Sequence, residues 1–264
     1  MRRHYNRNVT EKTRAVFITG AGAGLGREMA LAFASDGYAV AVTGVEGVED
    51  TAVEIRARGG RALDLPLDLR QPEQVEAAVS AALTRFHGID VLINNAAIEG
   101  PTAPVAQVSL EDWHQTLAVN LTGTFLCDRA VVPHMMAQRS GCILHISSVA
   151  GLHAYPLRAP YAVSKWGIIG LMETLAAELG PYNIRVNAVC PGPVQGSRMA
   201  RVIAHRAEAE GRSLHEIVEE YRSRTLLQRM VEPEDVVRLV LFLASDAAKN
   251  ITGQAIRVCA GYGL

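Results

Sequence analysis

The sequence of 264 residues contains few cysteines and no long apolar segment. Its four cysteines lie far apart and form no CxxC pair, a spacing that favours neither a zinc site nor a disulfide framework. No run of residues has the apolar length of a membrane span, and no signal-peptide core directly follows the basic start. We therefore expect a cytoplasmic protein that does not associate with membranes and requires no metal ion.

An excess of charge of either sign is also missing. The 26 basic and 27 acidic residues leave a net charge of −1, so nothing predicts a nucleic-acid or membrane surface. A hydrophobic content of 49% and a charged content of 20% are typical of a globular protein. Because no linker, repeat or low-complexity tract divides the chain, we expect one domain over 14–264, preceded by a flexible N-terminal arm at 1–13.

Short apolar runs alternate with longer amphipathic stretches along the chain. The short runs are rich in valine and isoleucine and are apolar on both faces, as buried parallel strands are. This alternation predicts an α/β fold of the Rossmann type, in which helices cover both faces of a doubly wound parallel sheet. Strands are predicted at 15–20, 38–44, 61–68, 89–95, 141–148, 184–192 and 253–261, and helices at 25–36, 47–58, 71–87, 109–138, 161–180 and 232–245.

One irregular segment, 193–230, separates the sixth strand from the last helix. Its sequence is amphipathic and highly charged. Because α/β sheets bind ligands at the carboxyl ends of their strands, an insertion at this point is well placed to cover a substrate. We interpret the segment as a substrate loop. A plain pair of packed helices is the alternative, and the two interpretations are compatible.

A glycine-rich turn, TGAGAGLG at 19–26, follows the first strand. Gly20, Gly24 and Gly26 have the spacing GxxxGxG rather than GxGxxG. Glycines here allow a tight turn and a close approach to a pyrophosphate, and the helix that starts near Leu25 directs its N–H groups at the same charge. The turn therefore predicts a dinucleotide phosphate site.

The end of the second strand is where the partner of a dinucleotide ribose is expected, about 20 residues after the loop. Gly44 stands where an acidic residue would bind the 2′-hydroxyl, and no arginine or lysine follows to bind a 2′-phosphate. Glu46 comes two residues later, and its charge would repel a phosphate, which favours NAD over NADP. Asp68, at the end of the third strand, either accepts a hydrogen bond from the adenine amino group or only caps its strand.

Lysine is scarce, with three lysines beside 23 arginines. One of them, Lys165, follows Tyr161 by four residues at the start of a predicted helix, so the two side chains share one helix face. Ser148 ends the fifth strand at the sheet edge that also carries the glycine turn. A neighbouring ammonium and an oxidised nicotinamide both lower the pKa of a tyrosine. These residues predict hydride transfer, with Tyr161 as general acid and base and Ser148 holding the substrate oxygen.

Together these motifs resemble the short-chain dehydrogenase/reductase family, in its single-domain branch. The resemblance covers about 14–260 and implies a seven-stranded parallel sheet with three helices on each face. It further implies NAD or NADP as cofactor and a homotetramer or homodimer formed through the helices at 109–138 and 161–180. The motifs are the glycine turn, NNAA at 94–97, Asn120 in VNLTG, Ser148, YAVSK at 161–165 and PGPV at 191–194.

The resemblance also implies roles for individual residues. Tyr161 is the general acid and base and Lys165 binds the nicotinamide ribose. Ser148 polarises the substrate and Asn120 holds a water of a proton relay. Ala97 departs from the usual glycine of NNAG, and the threonine often found after PG is missing, which leaves open whether Ser197 substitutes for it. The expected cofactor-binding set is Gly20, Gly24, Leu25, Gly26, Glu46, Asp68, Leu69, Asn95, Ala96, Tyr161, Lys165, Pro191, Gly192 and Val194.

The substrate is expected to be a small polar secondary alcohol or ketone, with an anionic group as an option. Two arginines that flank the crevice, Arg158 and Arg198, suit a carboxylate, sulfonate or phosphate. With them, Ser148, His153 and Tyr161 complete the expected substrate set. Reduction of a 3-oxoacyl thioester and a non-catalytic dinucleotide-binding sensor are the alternatives. The intact set of four catalytic residues disfavours the sensor.

Overall fold

Seven parallel strands form one sheet in the computed structural model, which describes residues 13–263. The strands are β1 (Ala15–Thr19), β2 (Ala39–Gly44), β3 (Arg61–Pro66), β4 (Val91–Asn94), β5 (Gly141–Ile146), β6 (Ile184–Pro191) and β7 (Ala255–Val258). Their order, β3-β2-β1-β4-β5-β6-β7, reverses direction between β1 and β4, and such a reversal opens the crevice in which α/β sheets bind ligands. The predicted fold class is confirmed.

Helices connect the strands and lie on both faces of the sheet. They are α1 (Gly24–Ser35), α2 (Val48–Ala57), α3 (Pro72–Phe86), α4 (Leu110–Leu117), α5 (Gly123–Gln138), α6 (Ala159–Leu179), α7 (Ser197–Glu210), α8 (Leu214–Ser223) and α9 (Pro233–Ala244). Within residues 13–263 no helix has both the length and the apolar character of a membrane span. Apart from Thr13, the predicted N-terminal arm lies outside the described residues.

Two apolar cores, one on each face of the sheet, account for the composition of the strands. In β1, Val16 and Ile18 pack into the core under α1, α2 and α9, whereas Phe17 packs into the core under α3, α5 and α6. None of these three side chains is more than 1% exposed. Because burial of apolar surface contributes about 25 cal/mol per Å², a central strand must be apolar on both of its faces.

The predicted helix at 109–138 is not one regular helix, and this expectation is corrected. A π-helical turn at Ala118–Thr122 separates α4 from α5. The turn places Asn120 inward with its side chain fully buried. Isolated π turns are rare in proteins and are frequent at functional sites.

The segment at 193–230 folds mainly as the helices α7 and α8. Arg206 binds Glu210 and Glu220 at N–O distances of 2.6 and 2.7 Å, and Arg212 binds the same two carboxylates at 2.8 and 2.6 Å. These ion pairs join the end of α7 to α8, so the pair of packed helices is present. Its role as a substrate loop stays a prediction.

Candidate active site

The predicted site residues meet at one edge of the sheet. Because all seven strands are parallel, their carboxyl ends lie at this edge together. β1 ends at the glycine turn, β4 before Asn95, β5 before Ser148 and β6 before Gly192. The fold therefore brings residues from distant parts of the sequence to a common crevice.

The glycine turn is shaped by backbone contacts that a side chain would block. A Cβ on Gly26 would lie 2.0 Å from the carbonyl oxygen of Gly20, and a Cβ on Gly22 would lie 1.8 Å from that of Glu46. Gly20 and Gly24 have φ angles of +65° and +50°, which favour glycine. The turn thus requires glycine at each of these positions.

The amino end of α1 is free to bind an anion. Its N-cap residue, Ala23, provides no capping side chain, and the first turn contains no acidic residue. By contrast, α4 is capped by Ser109 and α2 has Glu49 and Asp50 in its first turn. An uncapped helix end directs unpaired N–H groups and a positive dipole at whatever lies before it. The residues present therefore fit a dinucleotide pyrophosphate.

Asn95 and Ala96 fasten the end of β4 to the glycine turn. The backbone N–H groups of both residues donate to the hydroxyl oxygen of Thr19, at 2.9 and 3.0 Å. The Asn95 side-chain amide also donates to the carbonyl oxygen of Thr19 at 2.9 Å and to that of Gly20 at 3.2 Å. These bonds position the wall of the crevice expected to face the dinucleotide.

The expected adenosine end of the site has an acidic character. Glu46 is exposed at the turn after β2, and Arg27 on α1 is bound by Glu54. Arg70 forms a bidentate pair with Asp68, with N–O distances of 2.6 to 3.1 Å, and hydrogen bonding to Arg70 lowers the pKa of the Asp68 carboxyl. An adenine amino group would share this carboxylate with Arg70.

Leu69 and the residues after β6, which are expected to contact the cofactor, are mainly apolar and closely packed. Leu69 is buried, and a Cβ on Gly123 at the start of α5 would meet it at 2.6 Å. After Pro191, Gly192 packs closely against the backbone of Cys259. Val194 pairs with Val231 in a parallel bridge that ties the two ends of the 193–230 segment together.

Three cations surround the ring of Tyr161. The guanidinium carbons of Arg158 and Arg198 lie 5.1 and 5.7 Å from the ring centroid, and the Nζ of Lys165 lies 5.6 Å from it. Burial acts to raise the pKa of Tyr161. The charges of Lys165, Arg198 and Arg158, together with the nearby Ser148 hydroxyl, outweigh burial and lower that pKa below its usual value. A tyrosine in this environment gives up its proton more readily than an ordinary tyrosine, which suits a general acid and base.

Lys165 is held by the backbone. Its Nζ donates to the carbonyl oxygen of Ile146 at 2.7 Å, and the side chain is 2% exposed. The carbonyl oxygen of Lys165 accepts from the Ser147 hydroxyl at 3.0 Å. Burial lowers the pKa of Lys165 to about 8, although the neighbouring Tyr161 opposes the shift. Neither contact was evident from the sequence, since both depend on how α6 packs against the end of β5.

Ser148 caps the short 3₁₀ turn at Val149–Gly151. Its hydroxyl oxygen accepts from the N–H of Ala150 at 3.1 Å. A Cβ on Gly151 would lie 2.6 Å from the carbonyl oxygen of Lys165, so glycine there lets this turn approach α6. The Ser148 hydroxyl is thereby fixed at the carboxyl end of β5, near enough to Tyr161 to help lower the pKa of that tyrosine.

Asn120 connects the π-helical turn to two other parts of the crevice. Its side-chain oxygen accepts from the N–H of Ile98 at 2.8 Å, and its amide donates to the carbonyl oxygen of Ile98 at 3.0 Å. The amide also donates to the hydroxyl oxygen of Ser164 on α6 at 3.1 Å. The side chain of Asn120 thus positions the loop after β4, a role that the sequence did not indicate.

Besides Ser148 and Tyr161, the expected substrate residues are His153, Arg158 and Arg198. Arg158 and Arg198 lie at the ring of Tyr161, and each has a buried guanidinium nitrogen without a partner among the described residues. His153 lies in the loop that also holds Arg158, but its ring lies against Gly263 near the end of the chain. The carbonyl oxygen of Glu99 accepts from Arg158 at 2.8 Å, a contact that no sequence pattern signalled.

Comparison with known proteins identifies the class of the chain. A family model described as Enoyl-(Acyl carrier protein) reductase matches residues 20–263. The 3-oxoacyl-[acyl-carrier-protein] reductase FabG of Thermotoga maritima is 36% identical over 92% of this chain and 95% of its own.

Two solved structures share the fold. An NAD⁺-bound xylitol dehydrogenase superposes with a TM-score of 0.92 at 30% identity, covering 95% of this chain and 100% of its own. An actinorhodin polyketide ketoreductase variant with NADPH superposes with a TM-score of 0.90 at 34% identity, covering 95% of this chain and 97% of its own. The protein is thus an NAD(P)-dependent oxidoreductase acting on CH–OH or ketone groups. It belongs to the short-chain dehydrogenase/reductase family, as the sequence motifs predicted.

Proposed function

We propose that the protein transfers a hydride between NAD and a small polar secondary alcohol or its ketone, with Tyr161 as general acid and base. The observation that carries the proposal is the cluster of Lys165, Arg158 and Arg198 around Tyr161, with Ser148 beside it. The two arginines extend the range of substrates to those with a negative charge.

Each of the four proposed catalytic side chains has a separate role in the reaction. When bound, the nicotinamide accepts or supplies the hydride. In oxidation the carbinol O–H and C–H bonds break, the proton passes to the Tyr161 phenolate, and a ketone and reduced cofactor result. Ser148 holds the substrate oxygen by a hydrogen bond, and Lys165 stabilises the phenolate and binds the nicotinamide ribose. Asn120 holds the loop after β4 in place and supports the proposed proton relay.

NAD is the proposed cofactor in preference to NADP. The exposed Glu46 would repel a 2′-phosphate, and Arg27 is bound by Glu54. Fluorescence titration with NADH and NADPH measures the preference, and we expect NADH to bind more tightly. Glu46→Gln should strengthen NADPH binding, whereas Glu73→Gln, at an exposed position on α3, should not. Tighter binding of NADPH by the unaltered protein would make NADP the cofactor, and binding of neither would refute the proposed reaction.

Reduction of a 3-oxoacyl thioester is the second candidate, and the similarity to the Thermotoga maritima reductase favours it. A direct test compares acetoacetyl-coenzyme A with short hydroxyketones and polyols in the same assay, using the unaltered protein and Tyr161→Phe. Turnover of the thioester with the higher kcat/KM would support this second candidate. Faster turnover of the small polar substrates supports the first.

Assembly and location complete the proposal. Phe125, Val163 and Trp166, on α5 and α6, are 45%, 43% and 51% exposed, and large exposed apolar side chains of this kind are typical of protein interfaces. We assign this face to a homotetramer or homodimer.

The four cysteines are free and buried, which supports a reducing, cytoplasmic location.

A further inference from the structure

Two arginines beside Tyr161 lack the carboxylate partners that neighbouring arginines have. On α7, Arg201 pairs with Glu99 at 2.9 Å and Arg206 pairs with Glu210 at 2.6 Å. Arg198 is on the same helix, yet it forms no ion pair with a described residue, and neither does Arg158. Among the arginines of α7 and of the loop before α6, only Arg158 and Arg198 have no ion pair with a described residue, and both lie at the ring of Tyr161.

Because they are at least partly buried, Arg158 and Arg198 are energetically unfavourable without a counter-charge. Arg158 is 5% exposed, and a backbone carbonyl, that of Glu99, accepts its only described side-chain hydrogen bond. The Nε of Arg158 and one terminal nitrogen of Arg198 are buried with no described partner. An arginine keeps its charge inside a protein, and a buried charge without a counter-charge is strongly unfavourable. An anion bound at this place would remove that penalty.

The Tyr161 phenolate alone does not neutralise the positive charge of the site. It offers one negative charge to three cations, and an oxidised nicotinamide would add a further positive charge. The pyrophosphate is expected at the glycine turn at the end of β1, so its charge is directed elsewhere. The remaining ligand of the crevice is the substrate.

We propose that the substrate carries an oxyanion group, a carboxylate or a sulfonate, which Arg158 and Arg198 bind next to the reacting carbon. This inference rests on the proposed dehydrogenase function. The planar guanidinium fork matches both groups. Because both guanidinium carbons lie within 5.7 Å of the Tyr161 ring centroid, the anion must be close to the carbinol, as in a short hydroxy acid or hydroxysulfonate. A 3-oxoacyl thioester is neutral near its ketone and would leave both arginines unpaired.

The test separates charge recognition from a general effect on Tyr161. With NAD⁺, we would measure kcat/KM for 3-hydroxybutyrate, for 2-hydroxypropanesulfonate and for the neutral methyl ester of 3-hydroxybutyrate. The chains are the unaltered protein, Arg158→Gln, Arg198→Gln and the control Arg238→Gln, which alters an exposed arginine on α9. We expect an anionic probe to be preferred over the ester. Each active-site variant should reduce this preference by about tenfold to a hundredfold, the value of a hydrogen bond to a charged group, and the control should leave it unchanged.

Other results would overturn the inference. One is a preference for the ester in the unaltered protein. Another is an equal loss of activity on ester and anion in the variants, since the arginines would then act on Tyr161 alone. If no probe is turned over, calorimetric titration of the protein–NADH complex with acetoacetate and with 2-oxopropanesulfonate decides the matter. Binding lost in both arginine variants supports the inference, and no binding to the unaltered complex refutes it. Failure to bind NADH at all would refute the dehydrogenase proposal itself.

Discussion

The ammonium group of Lys165 lies 5.6 Å from the ring centroid of Tyr161 and donates a 2.7 Å hydrogen bond to the carbonyl oxygen of Ile146. The contact with Ile146 anchors the lysine to the end of β5, the strand that leads directly to Ser148. The charge that acts on Tyr161 is therefore fixed by the same backbone that positions the serine. In the proposed reaction, fixing the cation in advance would lower the cost of forming the Tyr161 phenolate.

The first prediction concerns Tyr161 and pH. Because the proposed oxidation uses the Tyr161 phenolate as base and the pKa of Tyr161 is lowered, the oxidation rate should rise with pH and level off below the range of an ordinary tyrosine. Tyr161→Phe should reduce kcat by about a hundredfold to ten-thousandfold and should abolish this rise. NADH binding, followed by fluorescence, should remain. A variant whose residual rate retained the same pH profile would show that another group accepts the proton.

The second prediction links Lys165 to stability. The pKa of this lysine is about 8 in the folded chain and 10.5 when unperturbed, so unfolding takes up a proton between these two values. The free energy of unfolding should therefore rise with pH in that window, by up to about 1.4 kcal/mol per pH unit from this group. In Lys165→Met the rise should be smaller. Urea unfolding of both proteins without dinucleotide measures the difference, and parallel curves would contradict it.

The third prediction concerns Asn120. Asn120→Ala leaves the N–H and carbonyl groups of Ile98 without their partners, which should destabilise the protein by about 1 to 3 kcal/mol. The loop after β4 carries Asn95 and Ala96, so NADH affinity should fall together with kcat. Asn250→Ala, at an exposed position, is the control. If Asn120→Ala lowered kcat alone, with NADH affinity and stability unchanged, the side chain would have no part in positioning the loop.

Much of the fold and the site followed from local patterns in the sequence. The strands were evident because each is buried on both faces, as Val16 and Phe17 show on opposite sides of β1. The glycine turn and the pair Tyr161 and Lys165 were evident because their spacings fix their geometry within one turn of chain. All of these features depend on neighbours close in sequence.

The remaining features depend on packing between distant segments or on small differences in helix geometry. The π-helical turn at Ala118–Thr122 has no residue that separates it from an ordinary helix. Asp68 was a candidate partner for adenine, and its bidentate contact with Arg70 depends on the path of the loop after β3. The contact of Arg158 with the carbonyl oxygen of Glu99 joins segments 59 residues apart. A single sequence contains no pattern that reports such contacts.

The last prediction concerns the proposed assembly face on α5 and α6. Gly167 on α6 packs against Leu121 in the π-helical turn, so Trp166 and Phe125 lie on adjoining helices, each close to that contact. A charged residue at an apolar interface must be desolvated without a partner, which is unfavourable. Phe125→Asp combined with Trp166→Asp should therefore reduce the mass measured by light scattering after gel filtration to that of a smaller assembly. Val53→Asp, at a similarly exposed position on α2, should leave the mass unchanged. An unchanged mass for the double variant, or the same reduction in the control, would place the interface elsewhere on the molecule.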